Sequence, residues 1–305
     1  MNNPPIFPYP WATDWGEDQY GLWMGLNHKG VHCVFRWVDP GTFMMGSPED
    51  EDGRIDWEDH HQVTLTQGFW AAETTVTQAL WQSVMDDNPS HFKGDDRPVE
   101  QVSWEDCQQF IQKLNTFHPE LAVRLPWEAE WEYACRAGTD TPFNFGKELT
   151  IAQVNYRGVW NLELGEDREK WGEEASTQWD KKAKQETTDV KSYPCNEWGL
   201  YEMHGNVWEW CQDHWQEKLG ADAVINPQNE LTDTDTDTDT DTDTDTEQEQ
   251  GATRVVRGGS WDGYGRDVRS AYRDRLSPVS RSGDLGFRLF LVNPRGSAGG
   301  GAAIP

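Results

Sequence analysis

Little in this chain would carry it into a membrane. No run of residues is apolar for long enough to span a bilayer. The N-terminus, MNNPPIFPYPWATDWGEDQYG, lacks the basic segment and apolar run of a secretory leader. Cysteine is scarce. Cys33, Cys107, Cys135, Cys195 and Cys211 are the only five in 305 residues, no two have C-x-x-C spacing, and an odd number leaves at least one unpaired. A cytoplasmic location with reduced thiols is the expectation. Positive charge is also short: 26 Lys and Arg face 54 Asp and Glu, for a net charge of −28. Such a chain repels phosphate backbones, which argues against general nucleic-acid binding. It is repelled by anionic membrane surfaces for the same reason.

Leu, Ile and Val are sparse, yet there are 18 Trp, 11 Phe, 8 Tyr and 28 Gly. A core of this kind is built on aromatic plates whose N–H and O–H groups need partners. With so few aliphatics, an irregular, loop-rich mixed α+β domain is expected rather than a helix bundle. Residues 1–34 are Pro- and Trp-rich at their start and read as a segment wrapping the surface of a domain over 35–292. Val31 to Met45 reads as two strands around Asp39-Pro40-Gly41, and Gln62 to Trp70 as one half-buried strand. Thr77 caps a helix to Met85. Ser103 and Asp106 form a capping box for a second helix, 104–117. A third spans Trp127 to Ala137 and closes at Gly138. Residues 232–245 are seven Thr-Asp repeats within a charged insert, 232–250, which cannot bury enough surface to order itself. Residues 293–305 read as a flexible tail.

The last folded stretch carries a frame: Arg257-Gly258-Gly259-Ser260-Trp261, Arg269-Ser270-Ala271, Arg273, Pro278, Arg281 and Gly286-Phe287-Arg288. Eight arginines in 254–288 oppose four acids, and most simply form internal pairs and bonds to carbonyls. Three further segments are distinctive: Pro40-Gly41-Thr42-Phe43-Met44-Met45-Gly46-Ser47; Arg124-Leu125-Pro126-Trp127-Glu128-Ala129-Glu130-Trp131-Glu132-Tyr133-Ala134; and Gly205-Asn206-Val207-Trp208-Glu209-Trp210. Together with Glu73 to Gln78 and Arg97 to Trp104, they run in the order of the formylglycine-generating enzyme (sulfatase-modifying factor) family. The chain resembles that family over residues 35–292. The resemblance implies a C-type-lectin-like fold.

It also implies two calcium sites. One would take the side chains of Glu202 and Glu209 with the carbonyls of Gly205 and Val207. The other would begin at Asn155 and Tyr156. An oxygen-rich set of this kind suits calcium. The competing reading of Glu209 is a buried acid paired with one of the C-terminal arginines. Family members that oxidise cysteine use a thiol pair just after Gly-Gly-Ser to hold copper(I), a soft ion that needs soft ligands. Here that stretch is Trp261 to Arg269, and no cysteine follows Cys211. Neither copper nor thiol-oxidase activity is expected. A three-histidine iron site, found in related sulfoxide synthases, has no counterpart among the scattered histidines.

A related group with this fold, the variable proteins of diversity-generating retroelements, keeps a frame and rewrites the positions between. Here those are Asp262, Gly263, Tyr264, Asp267, Tyr272, Asp274, Leu276, Val279, Ser280, Ser282, Gly283 and Asp284. Each can be coded by a triplet ending in C, as rewriting of AAC requires. The expectation is a ligand-binding module, with a protein or other macromolecule as partner. The alternative is an oxidase of the family. The binding reading requires Tyr264, Tyr272, Leu276 and Val279 to be largely exposed, and Trp261, Arg269, Arg273, Phe287 and Arg288 to be mostly buried.

Overall fold

A computed structural model describes residues 4–158, 181–230 and 253–291. The Thr-Asp repeat and the tail lie outside the described residues. Strand β1 (Asp14–Asp18), β2 (Gly21–His28), β3 (Val31–Val38), β4 (Gly41–Met45), β5 (His61–Leu65) and β6 (Phe69–Ala72) come first. Helices α1 (Gln78–Met85) and α2 (Trp104–Phe117), strand β7 (Val123–Arg124) and helix α3 (Glu128–Arg136) follow. The remaining strands are β8 (Trp208–His214), β9 (Val224–Ile225), β10 (Arg254–Arg257), β11 (Arg273–Leu276), β12 (Leu285–Gly286) and β13 (Phe290–Leu291).

Three sheets result, ordered β1-β2-β3-β6-β13-β7, β11-β10-β8-β12 and β4-β5-β9. The fold is α+β, with much of the chain in turns. Two expectations need correction. Residues 14–28 do not wrap the surface. They are β1 and β2 of the largest sheet, so a boundary at 34 would cut through β3. Gln62 to Trp70 is also not one strand. Leu65 pairs with Gly41, whereas Phe69 pairs with Val38 in another sheet.

The helices form where local signals place them. Thr77 accepts the Leu80 N–H at 3.2 Å. Ser103 and Asp106 exchange the two bonds of a capping box, at 3.1 and 2.9 Å. Cys107, Phe110, Ile111 and Leu114 form the buried stripe of α2 at helical spacing. That stripe meets an aromatic core in which Trp81 stacks on Phe110 at 5.3 Å and Phe287 packs edge-on to both. Helix α3 buries indole and carboxylate together: Trp131, Glu128 and Glu132 are all buried. Its start is capped by Glu130, which accepts the Trp127 N–H at 3.1 Å.

Candidate functional site

The arginines of the C-terminal frame divide into two groups. Arg257, Arg269, Arg273 and Arg288 are each at most 1% exposed. Each meets a buried carboxylate from elsewhere in the chain. Arg257 pairs with Glu132, donates to the Ala271, Tyr272 and Ser270 carbonyls, and lies over Trp131. Arg269 grips Glu58 with two bonds of 2.6 and 2.9 Å and reaches Glu51 at 2.6 Å. Arg273 grips Glu128 with two bonds of 2.7 Å and lies over Trp215. Arg288 binds Glu209 and donates to the carbonyls of Ala72, Glu73 and Tyr201. These arginines are frame, as expected. The rest serve nearer the surface: Arg254 over Trp104, Arg275 over Trp57, Arg266 beside Asp267 and Arg281 beside Asp106. The acidic loop 46–61 gained no role from its sequence. Its Glu51 and Glu58 prove to be the counter-charges of Arg269.

Behind Arg273, the carboxylate of Asp213 accepts the N–H groups of Glu128 and Asn229 at 2.6 and 3.1 Å. Burial, reinforced by the nearby Glu128 charge, pushes its carboxyl up to about 7. A folded-state value above the unfolded value of roughly 3.9 means stability is full at low pH and is lost as pH rises between the two. Asp213→Asn should remove that loss. The melting temperature of the variant relative to the wild type should therefore climb from about pH 4 to pH 7 and level off above it. A difference independent of pH would show that Asp213 is ionised throughout.

The between-frame residues lie on β11, the edge strand of the four-stranded sheet, and on the turns that flank it. Arg157 organises one side. It donates to the Asp262 carboxylate at 2.7 Å and lies 4.9 Å from the Tyr264 ring centre. Its backbone N–H bonds Gly263 O at 3.0 Å. Asp284 accepts from Ser260 and Ser282, and its carbonyl accepts the Trp208 N–H. Trp208 in turn meets the Tyr272 ring at 5.9 Å. Asp267 accepts the Tyr264 N–H at 2.9 Å, and Asp274 accepts the Arg275 N–H. Burial raises the carboxyls of Asp262, Asp267 and Asp274.

The exposure expectation holds only in part. Val279 is 56% exposed and Ser282 is exposed. Tyr264, Tyr272 and Leu276 are half-buried, as are Ser280 and Gly283, and Gly263 is buried. Arg157 shields Tyr264, Trp208 and Arg269 flank Tyr272, and Leu276 leans on the main core. Trp261 is half-buried rather than core, with its edge on Phe92 and its N–H on Gly283 O. Arg269, Arg273, Phe287 and Arg288 are buried as expected.

Glu209 is a paired acid in this structure. Its Oε2 accepts the Trp131 indole at 2.8 Å and Arg288 Nε at 3.1 Å, while its Oε1 accepts Arg288 Nη2 at 2.8 Å. These three bonds take up most of the roughly four acceptor positions of the carboxylate. This is the pairing with a C-terminal arginine that the competing reading of Glu209 expects. Glu202 instead accepts the N–H groups of Lys191 and Tyr193. Gly205 and Val207 lie on the turn between them, and Gly205 is needed there for its backbone. Its φ is +74°, and a Cβ would sit 2.3 Å from the Asn155 carbonyl. Glu209→Gln should therefore destabilise the fold equally in calcium and in chelator. A loss seen only in calcium would restore the ligand role.

Asn155 and Tyr156 lie together, Tyr156 being buried beside Phe143 and Val268. The resemblance places the other ligands of that implied site within 160–188, of which 160–180 lie outside the described residues. The sequence reading missed Asn206. Its side chain joins Asn155 and Thr188 at 3.1 and 2.9 Å, and its carbonyl accepts the Trp261 N–H. It thus holds the start of the candidate surface to the scaffold. Among the described residues no group of three or more His, Cys, Asp or Glu is arranged to hold a metal ion, and no helix is long and apolar enough to cross a membrane.

Comparison with known proteins agrees with this architecture. Residues 32–292 match the sulfatase-modifying factor enzyme 1-like domain family. The formylglycine-generating enzyme of Bos taurus is 30% identical over 234 residues, covering 75% of this chain and 52% of that protein. The enzyme of that name from Streptomyces coelicolor is 34% identical over 196 residues, covering 63% of this chain and 51% of that protein. The chain thus spans about half the length of these relatives. Treponema denticola variable protein 1 superposes with a TM-score of 0.64 at 26% identity, over 88% of this chain and 98% of that one. The chain belongs to the sulfatase-modifying factor enzyme 1-like domain family.

Proposed function

We propose that this domain is a binding module for a protein partner, with the between-frame residues of 262–284 as its contact surface, and that this surface is of the retroelement-diversified kind. One observation carries the reading. The frame arginines are consumed inside the fold, whereas the residues between them lie on an edge strand and its turns, outside the buried core. Val279 and Ser282 are open, and the half-buried tyrosines offer large contact area with little entropy to lose. The likeness to the Treponema variable protein supports the same reading.

An oxidase like the relatives named above is the alternative. Against it stand the thiols. Cys135 and Cys211 share one core cluster, and burial raises both, that of Cys135 to about 12. A buried, protonated thiol is a poor copper(I) ligand and a poor nucleophile.

A photo-crosslinking residue placed at Val279 or Ser282 should capture a discrete protein in the native cell, and one at Thr42, exposed on the three-stranded sheet, should not. Tyr264→Ala should weaken the capture. Equal capture at all three positions would sink the binding reading. Copper(I)-loaded protein given a cysteine-containing sulfatase peptide should yield no formylglycine. Turnover lost on replacing Cys195 or Cys211 would establish the oxidase instead.

A further inference from the structure

A second cleft lies far along the chain from the C-terminal surface, between the β1–β2 hairpin tip and the turn at 196–200. Its volume is about 700 Å³, within the range of small-ligand sites. Four aromatic side chains line it: Phe7, Tyr20, Trp37 and Trp198. Three carboxylates stand among them, those of Glu17, Asp39 and Glu197. No lysine or arginine is among the described residues of its lining. Four aromatic rings, three anionic groups and no lysine or arginine in the described lining form a surface complementary to one class of ligand. We propose that this cleft binds an alkylammonium cation of the trimethylated type, whose charge is spread over methyl groups that pack on aromatic faces.

The walls are built before any ligand arrives. Asn196 anchors the turn, its amide donating to Ala134 O and Cys135 O at 2.7 and 3.3 Å while its Oδ1 accepts the N–H groups of Trp198 and Leu200. Trp198 packs edge-on to Tyr133 at 4.9 Å. Trp37 is fixed from two sides, by Trp70 at 5.4 Å and by its indole N–H on Asp39 at 2.9 Å. Phe7 stacks on the same Trp70 at 6.0 Å. Gly199 lets the two walls touch: with φ at +75°, a Cβ there would fall 2.9 Å from Arg36 Nε and 3.0 Å from Tyr20 Cβ. Arg36 covers one face of Tyr20 and is itself neutralised by Asp18 and Glu73. It therefore does not oppose a second cation in the cleft. Rings held this firmly lose little entropy on binding.

The cation could be a free small amine or a trimethylated lysine side chain of another protein, and the test separates them. Tryptophan fluorescence and calorimetry would follow titration of the whole chain with choline, with its neutral carbon isostere 3,3-dimethylbutanol, and with a short peptide carrying trimethyllysine or plain lysine. Choline or the trimethyllysine peptide should bind saturably, and the isostere about tenfold more weakly. Tighter binding of choline points to the free amine, and tighter binding of the peptide to the protein source. Trp198→Ala should abolish the signal. The triple variant Glu17→Gln, Asp39→Asn, Glu197→Gln should weaken binding with an unchanged melting curve, which keeps the test valid if Trp198→Ala misfolds. Equal affinity for the cation and its isostere would overturn the proposal. So would the absence of saturable binding by both cations, or full affinity in the triple variant.

Discussion

Arg288→Ala is expected to lower the melting temperature by about 10 °C. The guanidinium is fully buried and satisfies Glu209 together with three backbone carbonyls. Its removal leaves a carboxylate in the interior with only the Trp131 indole for company. Breaking one side of such a pair costs about 3–5 kcal/mol, because the surviving charge has lost both water and partner. The mechanism has its own check. Arg288→Met combined with Glu209→Gln keeps an acceptor for Trp131 and removes the stranded charge, so the double variant should recover much of the loss. If the double variant is as unstable as Arg288→Ala, the three carbonyls and not the charge carry the effect.

Phe287→Ala should cost a comparable amount, about 3–5 kcal/mol, by another route. Phe287 is fully buried and fits edge-on to both Trp81 and Phe110, so its truncation opens a void that α1, α2 and the sheet must each move to fill. Rigid plates collapse poorly into such a space. Phe287→Leu should recover about half of the loss, and denaturant midpoints should follow the same order. A shift below about 1 kcal/mol would mean that the aromatic cluster is loosely packed.

Much of this architecture was legible from the chain because the signals are local. Ser103 and Asp106 are three residues apart, and their capping box and the stripe of α2 can be seen in any window of that length. The motif order likewise pointed to the fold. The sites were harder because their contacts are distant. Arg269 meets Glu58, 211 residues away, and nothing near Arg269 names that partner. Arg157 shields Tyr264 across 107 residues, so a tyrosine among small residues read as more open than it is. An arithmetic hint was present: acids crowd the loop 46–61, and arginines crowd 254–288. Strands β1 and β2 were obscured by the proline and tryptophan around them, although Gly21, with φ at +99°, closes the two-residue turn of their hairpin.

The placement of β13 has a consequence for biosynthesis. This two-residue strand lies between β6 and β7, pairing Phe290 with Ala71 on one side and Arg124 on the other. Until residue 291 has left the ribosome, β6 and β7 face an empty lane. At that stage Phe69 and Trp70 lack the partner that closes their sheet, and unpaired strand edges of this kind invite association with other chains. A growing polypeptide can assemble the local helices as it emerges, but the largest sheet is completed only once Phe290 and Leu291 have emerged. Chains that stop before residue 290 should therefore be marked for chaperones and proteases.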